Sequence, residues 1–157
     1  MNKNQSKFSL SLNAAFVLVA LVIIVDFILP GRIVNDEINN VEKERQQYYN
    51  AARNYHFSYK VITHEHEFYV TEDFAELVQG HKNIEYSVSR IFEEVNWYRL
   101  LSSENRGSYS LRIISGLVLP LLTIFLIAVA YRYKMNIDIL VFVFQTILIA
   151  DLIFLLV

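Results

Sequence analysis

Two carboxylates and one guanidinium lie inside otherwise apolar stretches of the chain. Asp26, Arg112 and Asp151 are the only charged residues in these stretches. The three runs span residues 10–29, 111–131 and 139–157. A charged side chain in hydrocarbon costs about 2.5 kcal/mol or more, so such a residue is usually retained for a reason.

The three charges are predicted to lie at similar depth if the runs are helices that cross a membrane. At 1.5 Å per residue, Asp26 lies about 5 Å and Asp151 about 9 Å inside the outer ends of their helices, and Arg112 starts its helix at the same face. We expect an Asp26, Arg112, Asp151 charge cluster that ties the helices together or to a partner. Side chains at the headgroup level and an ion or proton pathway are the open alternatives.

His64 and His66 are the only residues in the sequence that resemble a pair of metal ligands. Residues two apart on a strand share a face, and imidazole suits zinc, copper or nickel. Two ligands do not make a site, and we interpret the pair as part of an exposed polar turn. The sequence predicts no metal site and no cofactor.

The composition excludes several functional classes. The chain has no cysteine, so thiol and disulfide chemistry are absent, and its net charge of −2 gives no electrostatic case for nucleic-acid binding. No metalloprotease, serine hydrolase, Walker or Rossmann motif occurs. We therefore expect a protein that is not an enzyme.

The elements that position these residues are dominated by the three apolar runs, each of which matches the roughly 20 residues that a membrane-spanning helix needs. We expect an α-helical membrane protein with three transmembrane helices and a small α+β extracytoplasmic module. The domain boundaries are predicted at 1–9 (cytoplasmic N-terminus), 10–29 (helix 1, a signal anchor), 30–110 (the module), 111–131 (helix 2), 132–138 (cytoplasmic turn) and 139–157 (helix 3).

The orientation follows from basic residues in the short flanks. Lys3 and Lys7 precede the first helix, and Arg132 and Lys134 lie between the second and third. The positive-inside rule then predicts a multi-pass protein of a bacterial-type inner (cell) membrane, with a cytoplasmic N-terminus and an extracytoplasmic C-terminus.

The first part of the module is predicted to be an amphipathic helix. Pro30-Gly31 should end the first membrane helix, and apolar or long residues then recur at alternating spacings of four and three. These positions are Val34, Ile38, Val41, Arg45, Tyr48, Ala52 and Tyr55.

From His56 onward the period becomes two, which favours strands. A hairpin is predicted on either side of the 64–67 interruption, and a short helix capped by Thr71 is predicted to end at Gly80. A second hairpin should follow, with a third strand at Ile84, Tyr86 and Val88, and a fourth at Val95, Trp97 and Arg99. The module is thus expected to contain an amphipathic helix, a hairpin, a short helix and a hairpin.

Aromatic residues in the module exceed what a sheet of this size is expected to hide. Tyrosine and tryptophan are favoured where one end of a side chain is apolar and the other is wet, so a protein or bilayer contact is expected. The residues chosen for this interface are Tyr48, Tyr55, Phe92, Trp97 and Tyr98.

These features favour a non-enzymatic accessory or structural subunit of a larger integral-membrane complex, which docks through its aromatic-rich module. Other integral-membrane or extracytoplasmic proteins and the lipid bilayer are the expected partners, with homo-oligomers as an option. One alternative is a small oligomeric transporter or channel that uses Asp151, since three helices leave no solute path within one copy. A second alternative is an extracytoplasmic ligand sensor that acts through a partner.

Overall fold

The computed structural model describes residues 3–47, 55–78, 83–103, 105–133 and 137–156. The elements, in chain order, are α1 (Lys3–Ile28), β1 (Arg32–Gln47), β2 (Tyr55–Thr63), β3 (Glu67–Val70), α2 (Glu72–Leu77), β4 (Asn83–Val88), β5 (Val95–Leu100), α3 (Ser110–Ile113), a π-helical turn (Ile114–Val118), α4 (Leu119–Tyr133) and α5 (Asp138–Leu156). They form two compact units. A helical unit comprises Met1–Leu29 and Ile113–Val157, and a β-module comprises Pro30–Arg112.

Within the described residues, three helices are long and apolar enough to cross a membrane. They cover Ser9–Ile28, Ser110–Tyr133 and Asp138–Leu156. Helix α1 ends at Ile28, as the following Pro30-Gly31 predicts, because proline and glycine do not continue a helix. The apolar runs read from the sequence are therefore confirmed as helices.

Within the helical unit, Gly116 allows two helices to approach closely. A Cβ atom at this position would collide with the Phe27 ring on α1. Gly116 lies in the π-helical turn, just ahead of Pro120. The helix widens into a π-helical turn there because the Pro120 nitrogen carries no hydrogen and cannot donate to the carbonyl oxygen of Gly116, four residues before it. The absence of a side chain at Gly116 thus allows the π-helical turn to lie directly against the Phe27 ring of α1.

The β-module is built on one antiparallel sheet with the strand order β3-β2-β1-β4-β5. Strands β2 and β3 form the first predicted hairpin, with Val61 opposite Phe68. Strands β4 and β5 form the second, with Tyr86 opposite Tyr98. Both hairpins are confirmed.

The amphipathic helix predicted from Val34 onward is wrong, because Arg32–Gln47 is a strand. The register of β1 against β2 shifts between Ile38 and Asn40, so one extra residue is inserted there. Positions four apart share a face of a strand, and an inserted residue makes positions three apart share it as well. The four-three-four spacing of Val34, Ile38, Val41 and Arg45 is therefore produced by a bulged strand as well as by a helix.

The sheet curls around its own apolar face. Phe68 of β3 and Tyr98 of β5 lie on opposite edge strands, yet their ring centroids are 5.9 Å apart. Helix α2 contributes buried Phe74 to the same core, and the Phe74 and Tyr98 rings meet edge to face at 4.5 Å. The curl of the sheet and helix α2 together cover the apolar face of the sheet.

A second bulge decides which side of β5 faces the core. Val88 pairs with Val95, but Ser87 pairs with Trp97, so Asn96 is the extra residue. The alternation of side chains along β5 therefore shifts by one residue after Val95, so that Val95 and Tyr98 both lie in the core. The fourth predicted strand is thus confirmed, with Trp97 on the side of β5 opposite Val95 and Tyr98.

Helix α2 starts after Thr71, as predicted, but the cap differs. The Thr71 side chain makes no capping hydrogen bond. Instead, the Thr71 backbone N–H donates to the Tyr98 hydroxyl at 2.9 Å. The helix start is thereby tied to the buried ring of β5, which is distant in sequence.

Residues 105–109, which we call the closing segment, run back along β5. Gly107 and Tyr98 exchange two backbone hydrogen bonds of 2.8 and 2.9 Å. The Tyr109 ring then stacks on Tyr69 of β3 with centroids 5.6 Å apart. The closing segment thus contacts both edge strands of the curled sheet.

We predict that Gly107→Ala destabilises the β-module by about 1–3 kcal/mol, because overpacking strains a close contact. A Cβ atom at this position would lie 2.6 Å from Cε2 of the Tyr98 ring. Denaturation of the full chain in detergent, followed by fluorescence of Trp97, the only tryptophan, measures the change. Asn105→Ala, at an exposed position of the same segment, is the control and should have little effect. Equal stability of the Gly107→Ala and parent chains would contradict this account.

Candidate functional sites

The Asp36 carboxylate of β1 accepts hydrogen bonds from several residues of the β-module. Its Oδ2 accepts hydrogen bonds from the backbone N–H groups of His64 and Glu65, at 3.0 and 3.1 Å. Its Oδ1 accepts one from the backbone N–H of Glu37 at 2.8 Å. Asp36 therefore holds the β2–β3 turn against β1.

These contacts set the charge of Asp36. Burial works to raise its pKa, but hydrogen bonds from the Thr63 side chain and from the backbone of Glu37, Glu65 and His64 outweigh that effect. The pKa of Asp36 lies below its ordinary value as a result. At neutral pH the group is a stable carboxylate.

The same network reaches the core through Tyr86. This ring is fully buried, and its hydroxyl lies 3.0 Å from His66 Nδ1, 3.3 Å from Thr63 Oγ1 and 3.5 Å from Asp36 Oδ2. Burial raises the pKa of Tyr86, so its hydroxyl stays protonated and donates a hydrogen bond. The arrangement positions a turn and contains no activated nucleophile among these residues.

His64 and His66 do not share the face of a strand, because β2 ends at Thr63 and β3 begins at Glu67. His64 Nδ1 lies 3.3 Å from the Asn39 side-chain amide, whereas His66 Nδ1 faces Tyr86. The Nδ1 atoms of the two histidines thus contact different residues. Within the described part of the chain, no three His, Asp or Glu side chains come together as a metal-binding group.

The intramembrane charge cluster stays a prediction, and each of its members has a defined environment. Asp26 is 1% exposed and Asp151 is half-buried, both in the helical unit. Arg112 is 6% exposed, and its Nε donates to the Asn96 side-chain oxygen at 2.9 Å. Arg112 therefore joins the first turn of α3 to strand β5.

A polar contact that the sequence reading did not identify joins two of the apolar helices. The Gln145 side-chain amide of α5 donates to the Asn13 side-chain oxygen of α1 at 2.8 Å, and Gln145 is 5% exposed. Side-chain hydrogen bonds of this kind contribute roughly 0.6–2 kcal/mol between helices in lipid. The sequence shows that each of these two amides lies within an apolar run, but it does not indicate that they bind each other across 132 residues.

The five residues predicted to form an aromatic interface have different environments. Tyr98 is 1% exposed and belongs to the core. Phe92 and Trp97 are half-buried, and the Arg106 guanidinium lies 4.4 Å from the Trp97 ring centroid. Tyr48 lies outside the described residues. The first residue of β2, Tyr55, is described by its backbone alone.

Strand β2 also carries an exposed aromatic ring that the interface prediction left out. Phe57 is 39% exposed, and the Lys43 ammonium lies 4.0 Å from its centroid. The same ammonium lies 5.1 Å from the Tyr59 ring, whose hydroxyl donates to Glu72 at 2.6 Å. Hydrogen bonding with Tyr59 raises the pKa of Lys43. This surface therefore combines an exposed ring with a fixed positive charge.

The described surface of the β-module includes shallow depressions. One of about 270 Å³ is lined by Asn35, Asp36, Glu37, Asn83 and Leu101. Another, of about 340 Å³, is lined by residues that include Phe74, Leu77, Leu100 and Arg106. Small-molecule sites usually enclose most of their ligand, and these depressions are open.

No protein-family model, curated protein or solved structure matches the chain.

We predict that Asp36→Asn lowers the free energy of unfolding at neutral pH by about 1 kcal/mol, because the hydrogen bonds lose their charged acceptor. A depressed folded pKa contributes stability above the ordinary value of 3.8, and this contribution is lost as the pH falls through the folded pKa. The difference between the two chains should therefore shrink below pH 3.8. Denaturation followed by Trp97 fluorescence across pH measures it. Asp73→Asn, at an exposed carboxylate, is the control, and a pH-independent difference would contradict the role of the Asp36 charge.

Proposed function

We propose that this protein is a non-enzymatic accessory or structural subunit of a larger integral-membrane complex. Its three apolar helices anchor it in the bilayer, and its β-module docks on other membrane or extracytoplasmic proteins. The support for docking comes from residues 43–47 of β1 and 55–58 of β2, which we call the arm.

The arm is the part of the sheet where β1 and β2 pair beyond their other neighbours. Strand β4 pairs only with residues 32–37 of β1, and β3 pairs only with residues 59–62 of β2. The β1–β2 ladder continues to Gln47 opposite Tyr55. Among the described residues, the sheet is therefore two strands wide at this end. A two-stranded ribbon is marginally stable in water, and its edges can accept a strand from another chain.

The side chains of the arm favour a partner that is partly apolar and partly acidic. Phe57 supplies exposed ring surface, and Lys43 holds a positive charge above it. Arg45 is in register with Phe57 on the opposite strand. Aromatic and arginine side chains contribute most of the binding energy in many protein interfaces.

Orientation is part of the proposal. Lys3 and Lys7 at one end of the first apolar run, and Arg132 and Lys134 after the second, place both flanks in the cytoplasm of a bacterial-type cell by the positive-inside rule. The β-module and the C-terminus then lie on the extracytoplasmic side of the inner membrane. The 13 acidic against 9 basic residues of positions 30–110 are compatible with export.

Exchange of the exposed ring of the arm tests the docking surface. We expect Phe57→Ser to reduce recovery of the co-purifying proteins about tenfold, as loss of a central aromatic anchor does in other interfaces. The measurement is purification of the full chain from its native membrane in mild detergent, followed by quantitative mass spectrometry.

Leu101→Ser is the matched control, because Leu101 is also an exposed apolar residue of the β-module, at 53% against 39% for Phe57. It should leave recovery unchanged. Equal losses in both variants would contradict docking through the arm. A lone monodisperse monomer from the native membrane would contradict the subunit role itself.

A second candidate is a small oligomeric transporter or channel. It is favoured by the placement of two carboxylates, Asp26 and Asp151, within the apolar helices. Carboxylates there often mark ion or proton pathways. If this reading holds, liposomes that contain the protein should show proton or cation flux that Asp151→Ala abolishes and Asp138→Ala, at the exposed start of α5, retains. Liposomes without flux would leave the subunit proposal as the better account.

A further inference from the structure

The turn between β4 and β5 lies at the end of the sheet where the chain enters and leaves the apolar helices. Helix α1 ends at Ile28 and β1 begins at Arg32, so at most about 14 Å of chain separates them. Arg32 pairs with Val88, the last residue of β4. A Cβ atom at Gly31 would collide with the Val88 carbonyl oxygen, so the two main chains are in contact there.

The second connection leaves from the same end of the module. Val88 also pairs with Val95, the first residue of β5. The closing segment runs antiparallel to β5 from Gly107 toward this end, and Arg112 then binds Asn96, the neighbour of Val95. Both links to the apolar helices and the β4–β5 turn thus share one end of the sheet.

The turn itself is a closed loop with an apolar tip. Ser89 and Glu94 close it through a 2.8 Å backbone hydrogen bond and a 3.2 Å bond from the Glu94 N–H to the Ser89 hydroxyl. Ile91 at its tip is 53% exposed, and Phe92 beside it is half-buried. Glu93 has a φ of 57°, in the left-handed region that non-glycine residues rarely adopt.

Another exposed isoleucine lies at this end. Ile33 follows Arg32 on β1 and is 59% exposed. The polar headgroup region on each side of a bilayer is about 5–8 Å thick. Ile33 and Ile91 thus both expose apolar side chains at the end of the sheet from which the two connections to the apolar helices leave.

We propose that the β4–β5 turn, with Ile91 at its tip, inserts into the headgroup region of the same bilayer that holds the helices. This inference rests on the membrane anchorage in the proposed function. Exposed Arg90 and Glu93 flank the tip with opposite charges, so apolar insertion rather than attraction to anionic lipid drives the contact. The turn and the two chain links then restrain the module at three points on the membrane surface.

The absence of cysteine from the sequence permits a direct test by single-site labelling. Ile91→Cys and Leu101→Cys are labelled with an environment-sensitive fluorophore in the full chain, reconstituted in vesicles of zwitterionic phosphatidylcholine. The two side chains are each 53% exposed, but Leu101 follows the other end of β5. A label at Phe125→Cys, 62% exposed on α4, reports whether the helices are inserted.

We expect lipids that carry a nitroxide near the headgroup to quench the label at position 91 about twofold more strongly than the label at position 101. Aqueous iodide should show the reverse order, and added anionic lipid should change neither. Strong iodide quenching at position 91 would overturn the inference. Shielding from both quenchers would also overturn it, in favour of a protein that covers the turn.

The Phe125 label separates failure of this inference from failure of the anchorage. Quenching of that label by a nitroxide deep in the acyl chains, together with an aqueous Ile91 label, would overturn the lipid contact alone. No quenching at Phe125 would overturn both the contact and the membrane anchorage on which it rests.

Discussion

The whole β-module depends on one constraint, which is that β1 must keep its apolar side chains on one face while it changes partners. Its first six residues pair with β4, and the following part pairs with β2. The extra residue between Ile38 and Asn40 falls where the partner changes. Because a bulge shifts the alternation by one and bends the strand, Val34, Ile38 and Val41 all pack against the same core. The bulge thus produces both the continuity of the core and the curl of the sheet.

Because the sheet curls, several aromatic residues of the β-module lie in its core and not on its surface. Many of them fill the concave side, where Phe68, Phe74, Tyr86 and Tyr98 contact one another. Tyr98 combines several roles, since its ring lies under Gly107 and its hydroxyl accepts the hydrogen bond at the start of α2. Much of the apparent surplus is therefore core. Among the described phenylalanine, tyrosine and tryptophan side chains of the β-module, the ring that stays exposed is that of Phe57, so the proposed docking rests on this ring and not on the number of aromatic residues.

In both units, polar side chains bind groups that are distant in the sequence. Asp36 binds backbone groups of a turn 28 and 29 residues away, and Tyr86 is 50 residues away. Within the helical unit, Asn13 and Gln145 bind each other and Gly116 admits the Phe27 ring. These contacts hold distant elements together, and where the group is buried, as the Gln145 amide is, the hydrogen bond also satisfies a polar group that would otherwise be costly to bury. The Asp36 and Tyr86 network and the Asn13–Gln145 pair thus position elements that are distant in the sequence.

Local sequence patterns suffice to predict the three apolar helices, the two hairpins and the short α2, because each depends on a local period of hydrophobicity or on nearby turn residues. They could not determine that Arg32–Gln47 is a strand, since a bulged strand and a helix share the spacing of Val34, Ile38 and Val41. The assignment of Tyr98 to the core, and the contacts of Asp36, also came only from the tertiary structure. In each case the deciding partner is remote in the chain, and an inserted residue reverses the side to which every later side chain points.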